Sequence, residues 1–337
     1  MPPRQYDVVS RDAQIALTEF SAAFDKALAL GPVDQWSHRL GYYHLSNSIK
    51  TTFPIPISAA GYQKREGDLK LRSLFGRSLS IVPDQWQDGV AELLRKITAP
   101  DFIGWGTQPA EMAREAFRFG NVLVADVLVS NPLLDLYRIE RAGGSIASTI
   151  NLFADAHPVN ILDDSYGTFD NNLTGSAIDA TLVKALRHHF RTMKGPNGRP
   201  LGLELSHLIV PPAREQEALD FFDRDTVVEV VQNVAGAENV AAVTQRNRHK
   251  GVELVVADEL IGDLPSGNTG SDDELFAIGS SGRIPAWVLQ DGGAPEQVVF
   301  DESDHLYKTT GKVAISYVLD AGAAGALPQG IAKVTLS

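Results

Sequence analysis

A long segment without helical periodicity, residues 36–86, sets the strongest limit on the fold. Within it, residues 51–57 read Thr-Thr-Phe-Pro-Ile-Pro-Ile, and each proline fixes its own φ and keeps the preceding residue extended. Prolines at this spacing cannot lie in a central strand, because they lack the N–H group that a ladder requires. The segment therefore predicts an edge strand or an arm.

The same segment continues as a two-stranded hairpin that is rich in basic residues. Leu69 and Leu71 alternate with Lys70 and Arg72, which is the period-two pattern of a strand, and residues 66–68 read as a turn. The basic side chains of the hairpin are Lys64, Arg65, Lys70, Arg72 and Arg77. A lone hairpin is marginally stable in water, so we expect this one to rest on another surface.

The rest of the chain predicts both helices and strands. Apolar residues at helical spacing predict helices over 11–30, 85–97, 107–131, 176–193 and 213–222. Thr107 is the expected N-cap of the third helix, whose inner side carries small residues, and Ser176 with Asp179 forms a capping-box pattern for the fourth. Apolar runs predict strands over 205–210, 252–257, 286–290, 312–319 and 331–336.

Composition narrows the classes of function. The chain of 337 residues has a net charge of −12 and no cysteine. The acidic balance disfavours nucleic-acid binding along the whole chain, and the lack of cysteine excludes disulfides and thiolate metal sites. We find neither an apolar signal segment nor the ~18 consecutive apolar residues of a membrane span. We therefore expect a protein that is made and used in the cytoplasm.

A search for chemistry finds no familiar catalytic, metal-binding or cofactor-binding motif. None of the eight histidines has a recognised ligand spacing, and the glycine-rich segments do not fit a nucleophile elbow, a phosphate loop or a dinucleotide fingerprint. The sequence therefore predicts no catalytic residue, metal or cofactor. A hydrolase that uses His157 with Asp155 or Asp163 is the alternative, although a buried turn histidine is the simpler interpretation. A monomeric binding module is a third possibility.

Several segments in a fixed order resemble the major head subunit of Mu-like tailed phages. Residues 151–160 read Asn-Leu-Phe-Ala-Asp-Ala-His-Pro-Val-Asn, and residues 171–174 and the helix over 176–193 follow. Further on, 198–203 and 207–212 are similar to the Gly-x-Pro-Leu and Leu-x-Val-Pro-Pro elements of that family, before 252–256 and 287–289. The similarity covers roughly residues 105–290 and rests on the order and spacing of these segments together.

The resemblance implies an α+β fold, that of the tailed-phage major capsid proteins. It assigns an N-terminal arm to residues 1–50 and an extended loop to 51–84. A peripheral domain with a spine helix over 108–129 would comprise 85–150 and 296–337, and an axial domain would comprise 151–295. Such a protein is not an enzyme; it assembles into the pentamers and hexamers of an icosahedral shell around double-stranded DNA.

The resemblance also implies the residues that matter and the partners. The extended loop would contact a neighbouring subunit through Lys64, Arg65, Glu66, Asp68, Lys70, Leu71, Arg72, Leu74 and Phe75. The family segments would have structural roles at Phe153, Asp155, His157, Pro158, Pro211 and Pro212. Partners would be further copies of the chain, scaffolding, portal and decoration proteins and non-specifically contacted DNA, in a virion assembled in a bacterial cytoplasm.

Overall fold

Two mixed β-sheets and one long helix share the main core of the protein, whose structure is a computed structural model. It describes residues 6–31, 34–56, 76–93, 96, 107–134, 139–141, 144–146, 150–160, 164–231, 241–249, 251–280, 284–300 and 305–337. The α-helices are α1 (Tyr6–Ala29), α2 (Trp36–Leu40), α3 (Gln108–Ser130), α4 (Ala180–Thr192), α5 (Glu215–Phe222) and α6 (His305–Thr310). The strands are β1 (Tyr42–Leu45), β2 (Thr51–Pro56), β3 (Gly76–Ile81), β4 (Asp84–Leu93), β5 (Ile139–Arg141), β6 (Gly144–Ile146), β7 (His157–Pro158), β8 (Thr168–Phe169), β9 (Asn172–Gly175), β10 (Glu204–Val210), β11 (Thr226–Val231), β12 (Ala241–Arg246), β13 (Glu253–Val256), β14 (Glu274–Ser280), β15 (Trp287–Asp291), β16 (Glu296–Phe300), β17 (Lys312–Gly325) and β18 (Ile331–Leu336).

The first sheet is built around β17, the longest of the described strands. Along one edge β17 pairs antiparallel with β4, from Lys312–Leu93 to Ala321–Asp84. Along its other edge lie β16 and then β15, both antiparallel, and β1 continues the sheet by pairing parallel with β15. Helix α1 packs near this sheet, with Phe24 stacked on Tyr317 of β17 at a centroid distance of 3.6 Å.

The predicted helix over 85–97 is wrong, because residues 84–93 form β4. Ala, Glu and Leu at positions 91–93 favour a helix locally, but such propensities are weak and tertiary context overrides them. Here the long ladder with β17 satisfies the backbone polar groups of the segment. Trp86 also fixes the strand, since its Nε1 donates to the carbonyl of Ala321 at 3.0 Å.

The second sheet has the strand order β13-β10-β14-β18-β9. Its two faces belong to different cores because side chains alternate along each strand. Leu208 and Leu275 pack with α4 and α5 in one core, whereas Ile209 and Phe276 of the same strands face the main core with α3. The predicted strands over 205–210, 252–257, 286–290, 312–319 and 331–336 are confirmed as β10, β13, β15, β17 and β18.

Residues 296–337, which the family resemblance assigns to the peripheral domain, contribute strands to both large sheets. β16 and β17 lie in the first sheet, but β18 lies between β14 and β9 of the second sheet. The physical reason is that β18 is apolar on both faces: Ile331 is buried in the main core, and Val334 and Leu336 are buried against α4 and α5.

The helix over 107–131 is confirmed as α3. Pro109 lies in its first turn and Asn131 ends it in the left-handed conformation at φ 48°. Thr107 precedes the helix without a side-chain capping bond. The buried side of α3 is wider than the predicted stripe of small residues, since Val124 and Leu128 are fully buried.

Other elements differ from the sequence prediction in detail. Helix α4 is capped by Asp179, whose carboxylate accepts from the Leu182 amide at 2.8 Å, so it begins after Ser176. The hairpin of β11 and β12 and the central strand β14 were not predicted. The sequences of these strands lack a clear period-two alternation.

Candidate functional site

Strands β2 and β3 form the base of the hairpin that the sequence predicts. They pair antiparallel from Thr51–Ile81 to Pro56–Gly76. Leu79 and Ile81 are 4% and 3% exposed and lie in the main core, against which Phe53 also packs. The base of the hairpin is therefore part of the folded body.

The predicted contact residues of the hairpin lie beyond this base. All nine fall in residues 57–75, outside the described part of the chain: Lys64, Arg65, Glu66, Asp68, Lys70, Leu71, Arg72, Leu74 and Phe75. Their role as a subunit contact stays a prediction.

Exposed apolar side chains surround the point where the hairpin leaves the body. Leu45, Ile49 and Val82 are 61%, 86% and 59% exposed, and Tyr42 is 49% exposed with its ring 5.7 Å from that of Phe53. We call Tyr42, Leu45, Ile49 and Val82 the root patch. Large exposed apolar patches mark interaction sites on soluble proteins, and these four side chains are candidates for such a site.

Hydrogen bonds tie the segment that carries Tyr42, Leu45 and Ile49 to the body of the protein. Trp287 donates from Nε1 to the carbonyl of Ser37 at 3.0 Å, and Gln290 donates from Nε2 to the carbonyls of Ser46 and Ser48 at 3.2 and 2.9 Å. Trp36 meets Trp287 edge to face at 5.9 Å. The apolar side chains are therefore presented on a fixed backbone.

Asn171 is the centre of a buried hydrogen-bond cluster that the sequence did not identify. Its Nδ2 group donates to the backbone carbonyls of Leu152 at 2.8 Å, Pro328 at 3.2 Å and Ile331 at 3.3 Å. Its Oδ1 accepts from the Ala154 amide at 2.9 Å and lies 3.0 Å from Nε2 of His157. Because both Nδ2 hydrogens are directed at carbonyls, Oδ1 must accept, and Nε2 of His157 carries the proton in this contact. One side chain thus ties residues 152–157 to the start of β18.

The segment 153–158 contributes structural contacts around this cluster. Phe153 is buried against Phe276 at a centroid distance of 5.5 Å, and the Asp155 carboxylate accepts from Nδ2 of Asn172 at 3.1 Å. Pro158 follows His157 in the short strand β7, which pairs with β8. These contacts hold the segment against the second sheet.

The two prolines at 211–212 lie directly after β10. Pro211 is buried in extended conformation and Pro212 begins a short 3₁₀ helix over Pro212–Arg214. They turn the chain from the sheet into α5. The roles that the family resemblance implies for these positions stay a prediction.

The geometry around His157 does not favour a hydrolase. The ring is 0% exposed, stacked on Phe169 at 5.0 Å and hydrogen-bonded to the neutral amide of Asn171. Burial lowers the pKa of His157, although its hydrogen bonds oppose the shift. A general base must reach its substrate, and this imidazole is closed off from solvent; Asp163 lies outside the described residues.

Two further polar clusters join the segment 34–45 to the body. Glu259, 6% exposed, accepts from Nε of Arg118 at 2.6 Å and from Nε1 of Trp36 at 3.3 Å. Near β1, the Tyr43 hydroxyl donates to Asp291 at 3.3 Å, and burial raises the pKa of Tyr43 to about 12 and also raises that of Asp291. Both clusters hold α2 and β1 in place.

The described residues offer no other obvious reaction chemistry. Among them, no group of three or more His, Asp or Glu side chains could hold a metal ion. None of the described helices is long and apolar enough to cross a membrane. The features that stand out are therefore surfaces rather than a pocket with catalytic groups.

A family model described as "Phage capsid protein" matches residues 95–334, which is more than two thirds of the chain. No curated protein matches the chain.

Solved capsid structures share the fold at low sequence identity. The mature capsid of bacteriophage PhiM1 is 14% identical with a TM-score of 0.54, and the alignment covers 90% of this chain and 88% of that one. The capsid of cyanophage P-SCSP1u is 10% identical with a TM-score of 0.51, covering 88% and 86%. The capsid of a native GTA particle is 8% identical with a TM-score of 0.50, covering 90% and 91%.

Proposed function

Because this chain belongs to the phage capsid protein family, we propose that it is the major head subunit of a tailed phage. Copies of the chain form the pentamers and hexamers of an icosahedral shell that encloses double-stranded DNA. The role is structural, without catalysis or cofactor. The finer resemblance to Mu-like heads rests on the order and spacing of segments within roughly residues 105–290 and stays a prediction.

The observation that carries this proposal is the root patch on a rigid backbone. Tyr42, Leu45, Ile49 and Val82 are uncovered in the single chain although buried hydrogen bonds fix the segment beneath them. Burying an apolar side chain contributes about 1.5–3 kcal/mol relative to exposure, so a neighbouring copy that covers the patch gains substantially. A monomeric binding module would cover this patch with one unrelated partner, whereas in a shell every copy covers it with a neighbouring copy of the same chain.

The hairpin supplies the second contact of the proposed assembly. Its base is a separate two-stranded sheet outside the two large sheets, and residues 57–75 join the two strands. We assign these residues to the surface of a neighbour, with apolar contacts of Leu71, Leu74 and Phe75 more important than ion pairs. Surface ion pairs contribute only ~0–1 kcal/mol each.

The proposed division of the chain follows the strand pairing. The arm is 1–50, the extended loop is 51–84, and the peripheral part is 85–150 with 296–325. The axial part is 151–295, to which we add β18 because it pairs with β14 and β9. The assembled shell would be the capsid of the virion, formed in the bacterial host cytoplasm with scaffolding, portal and decoration proteins as further partners.

The test removes the hairpin tip and leaves its base. Because Pro56 pairs with Gly76, replacing residues 57–75 by Asn-Gly closes the hairpin with a two-residue turn. A wider deletion that included Leu79 would also remove core packing, so a loss of assembly could then result from unfolding. We expect the shortened variant to keep the thermal stability of the wild type and to remain unassembled in negative-stain microscopy and sedimentation.

A full-length variant serves as the comparison. Replacing Leu71, Leu74 and Phe75 by Ser keeps the loop length and should also reduce assembly, because the loss then comes from apolar contact. Normal shells from the shortened variant would overturn the hairpin assignment. A wild-type chain that never forms rings or shells would overturn the proposed function itself.

A further inference from the structure

Helix α4 and the turn after it carry a strongly basic surface on an acidic protein. Residues 180–203 contain five Lys or Arg residues and no Asp or Glu, whereas the whole chain has a net charge of −12. We call these five residues the basic face: Lys184, Arg187, Arg191, Lys194 and Arg199. Four of them are exposed and Arg187 is half-buried.

The basic face points away from the body because the opposite side of α4 is apolar. Val183, Leu186 and Phe190 are 0% exposed and lie in the core beneath the helix. Arg191 forms an ion pair with Glu204, but both side chains are more than half exposed. Among the described residues, Arg187, Lys194 and Arg199 have no ion-pair partner. Most of the positive charge is therefore directed at solvent.

An acidic surface of similar size lies on the neighbouring helix α5. Residues 215–225 contain five Asp or Glu residues and one Arg. Glu215, Asp220, Asp223 and Asp225 are exposed and form what we call the acidic face. Arg224, the one basic residue, lies 3.6 Å from Asp220 and neutralises only part of it.

The two faces lie on helices that pack over the same core, but the far end of α4 lies away from the point where its start meets α5. The start of α4 touches α5, since the Ile178 amide donates to Glu217 at 2.8 Å. The helix then runs away from this point at about 1.5 Å per residue, which puts Arg191 roughly 18 Å from Asp179. That separation exceeds the Debye length of about 8 Å at physiological salt. The charges at the far end of α4 are therefore available to a partner from outside.

We propose that the basic face binds the acidic face of a second copy of this chain. The proposal rests on the proposed function and names the surfaces through which neighbours in a ring meet. Two different patches on one molecule form a head-to-tail contact, and such a contact closes into a ring when the rotation between copies allows it. Charge complementarity then selects the register between copies and speeds their encounter.

The test is a charge swap in the full chain. One variant carries Arg187→Glu and Lys194→Glu, a second carries Glu215→Lys and Asp223→Lys, and a third carries all four changes. Each double variant places like charges against each other where the changed positions meet, so the assembled fraction in sedimentation and negative-stain microscopy should fall about tenfold or more. The fourfold variant restores opposite charges at these positions and should recover most of the assembled fraction. Thermal melts check that each variant is folded.

A matched control and two contrary outcomes make the test decisive. Arg114→Glu with Lys308→Glu makes the same change in net charge at exposed positions outside the basic face and should leave assembly unchanged. Equal loss in this control, or no rescue in the fourfold variant, would overturn the proposal. If the basic reversal leaves shells intact but weakens retention of a duplex DNA probe, the face binds the polyanion instead and the proposal is wrong. In both cases wild-type assembly still supports the proposed function.

Discussion

Replacing Asn171 by Ala should strongly destabilise the folded subunit, because this side chain joins two segments that are distant in sequence, residues 152–157 and 328–331. The substitution removes the acceptor of the Ala154 amide and of the buried His157 ring, and the donor to three carbonyls. A buried donor left without a partner costs about 1–3 kcal/mol. Two such donors give an expected loss of about 2–5 kcal/mol. That is a large part of the ~5–15 kcal/mol that stabilises a typical domain.

The measurement is urea unfolding of the unassembled subunit, followed by fluorescence and circular dichroism. Asn172→Ala is the matched control, because the adjacent asparagine is exposed and its side chain contacts Asp155 at 3.1 Å. The control should change the free energy of unfolding by no more than about 0.5 kcal/mol. If both variants lost the same amount, or if Asn171→Ala lost less than about 1 kcal/mol, the cluster would not stabilise the fold as argued.

Two other perturbations test the packing and the buried histidine. Burial lowers the pKa of His157 below its usual 6.5. Below that pH the unfolded chain therefore binds a proton more readily than the folded chain does. The free energy of unfolding should consequently fall as the pH drops. His157→Gln should flatten this dependence in urea titrations between about pH 5 and about pH 7.5, and an unchanged slope would contradict the assignment. Gly120→Ala would place a Cβ 2.7 Å from Nε2 of His38 and 3.1 Å from Leu289, so it should destabilise by about 1–3 kcal/mol in thermal melts. Glycine to alanine inside a helix normally stabilises by about 1 kcal/mol, and a gain here would refute the close approach of α2 and α3.

In the elements that were predicted correctly from the sequence, the local sequence preference agrees with the tertiary contacts. Helix α3 has a proline in its first turn and Asn131 at its end, and its apolar residues recur over six turns of helix. The prolines at 54 and 56 correctly predicted an extended pair away from the large sheets, since β2 pairs with β3 alone in the described structure. In these places local preference and tertiary contact favour the same conformation.

The elements that escaped prediction depend on distant residues. The second half of β17 reads Asp-Ala-Gly-Ala-Ala-Gly, which has little strand propensity. A Cβ at Gly325 would lie 3.1 Å from Leu152 and 3.2 Å from Leu134, so the small residues are required by close packing. The role of Asn171 likewise depends on carbonyls up to 160 positions away, and no local pattern encodes such a partner.

The position of β18 has a consequence for the order of events during synthesis. In the described sheet β9 pairs with β18 alone. Residues 172–175 therefore cannot pair until a strand that lies more than 150 positions later in the chain has been synthesised. While the ribosome is still translating, β14 also has an open edge and the core beneath α4 lacks Val334 and Leu336. Before β18 has been synthesised, a nascent chain therefore cannot complete the sheet on which α4 and α5 pack.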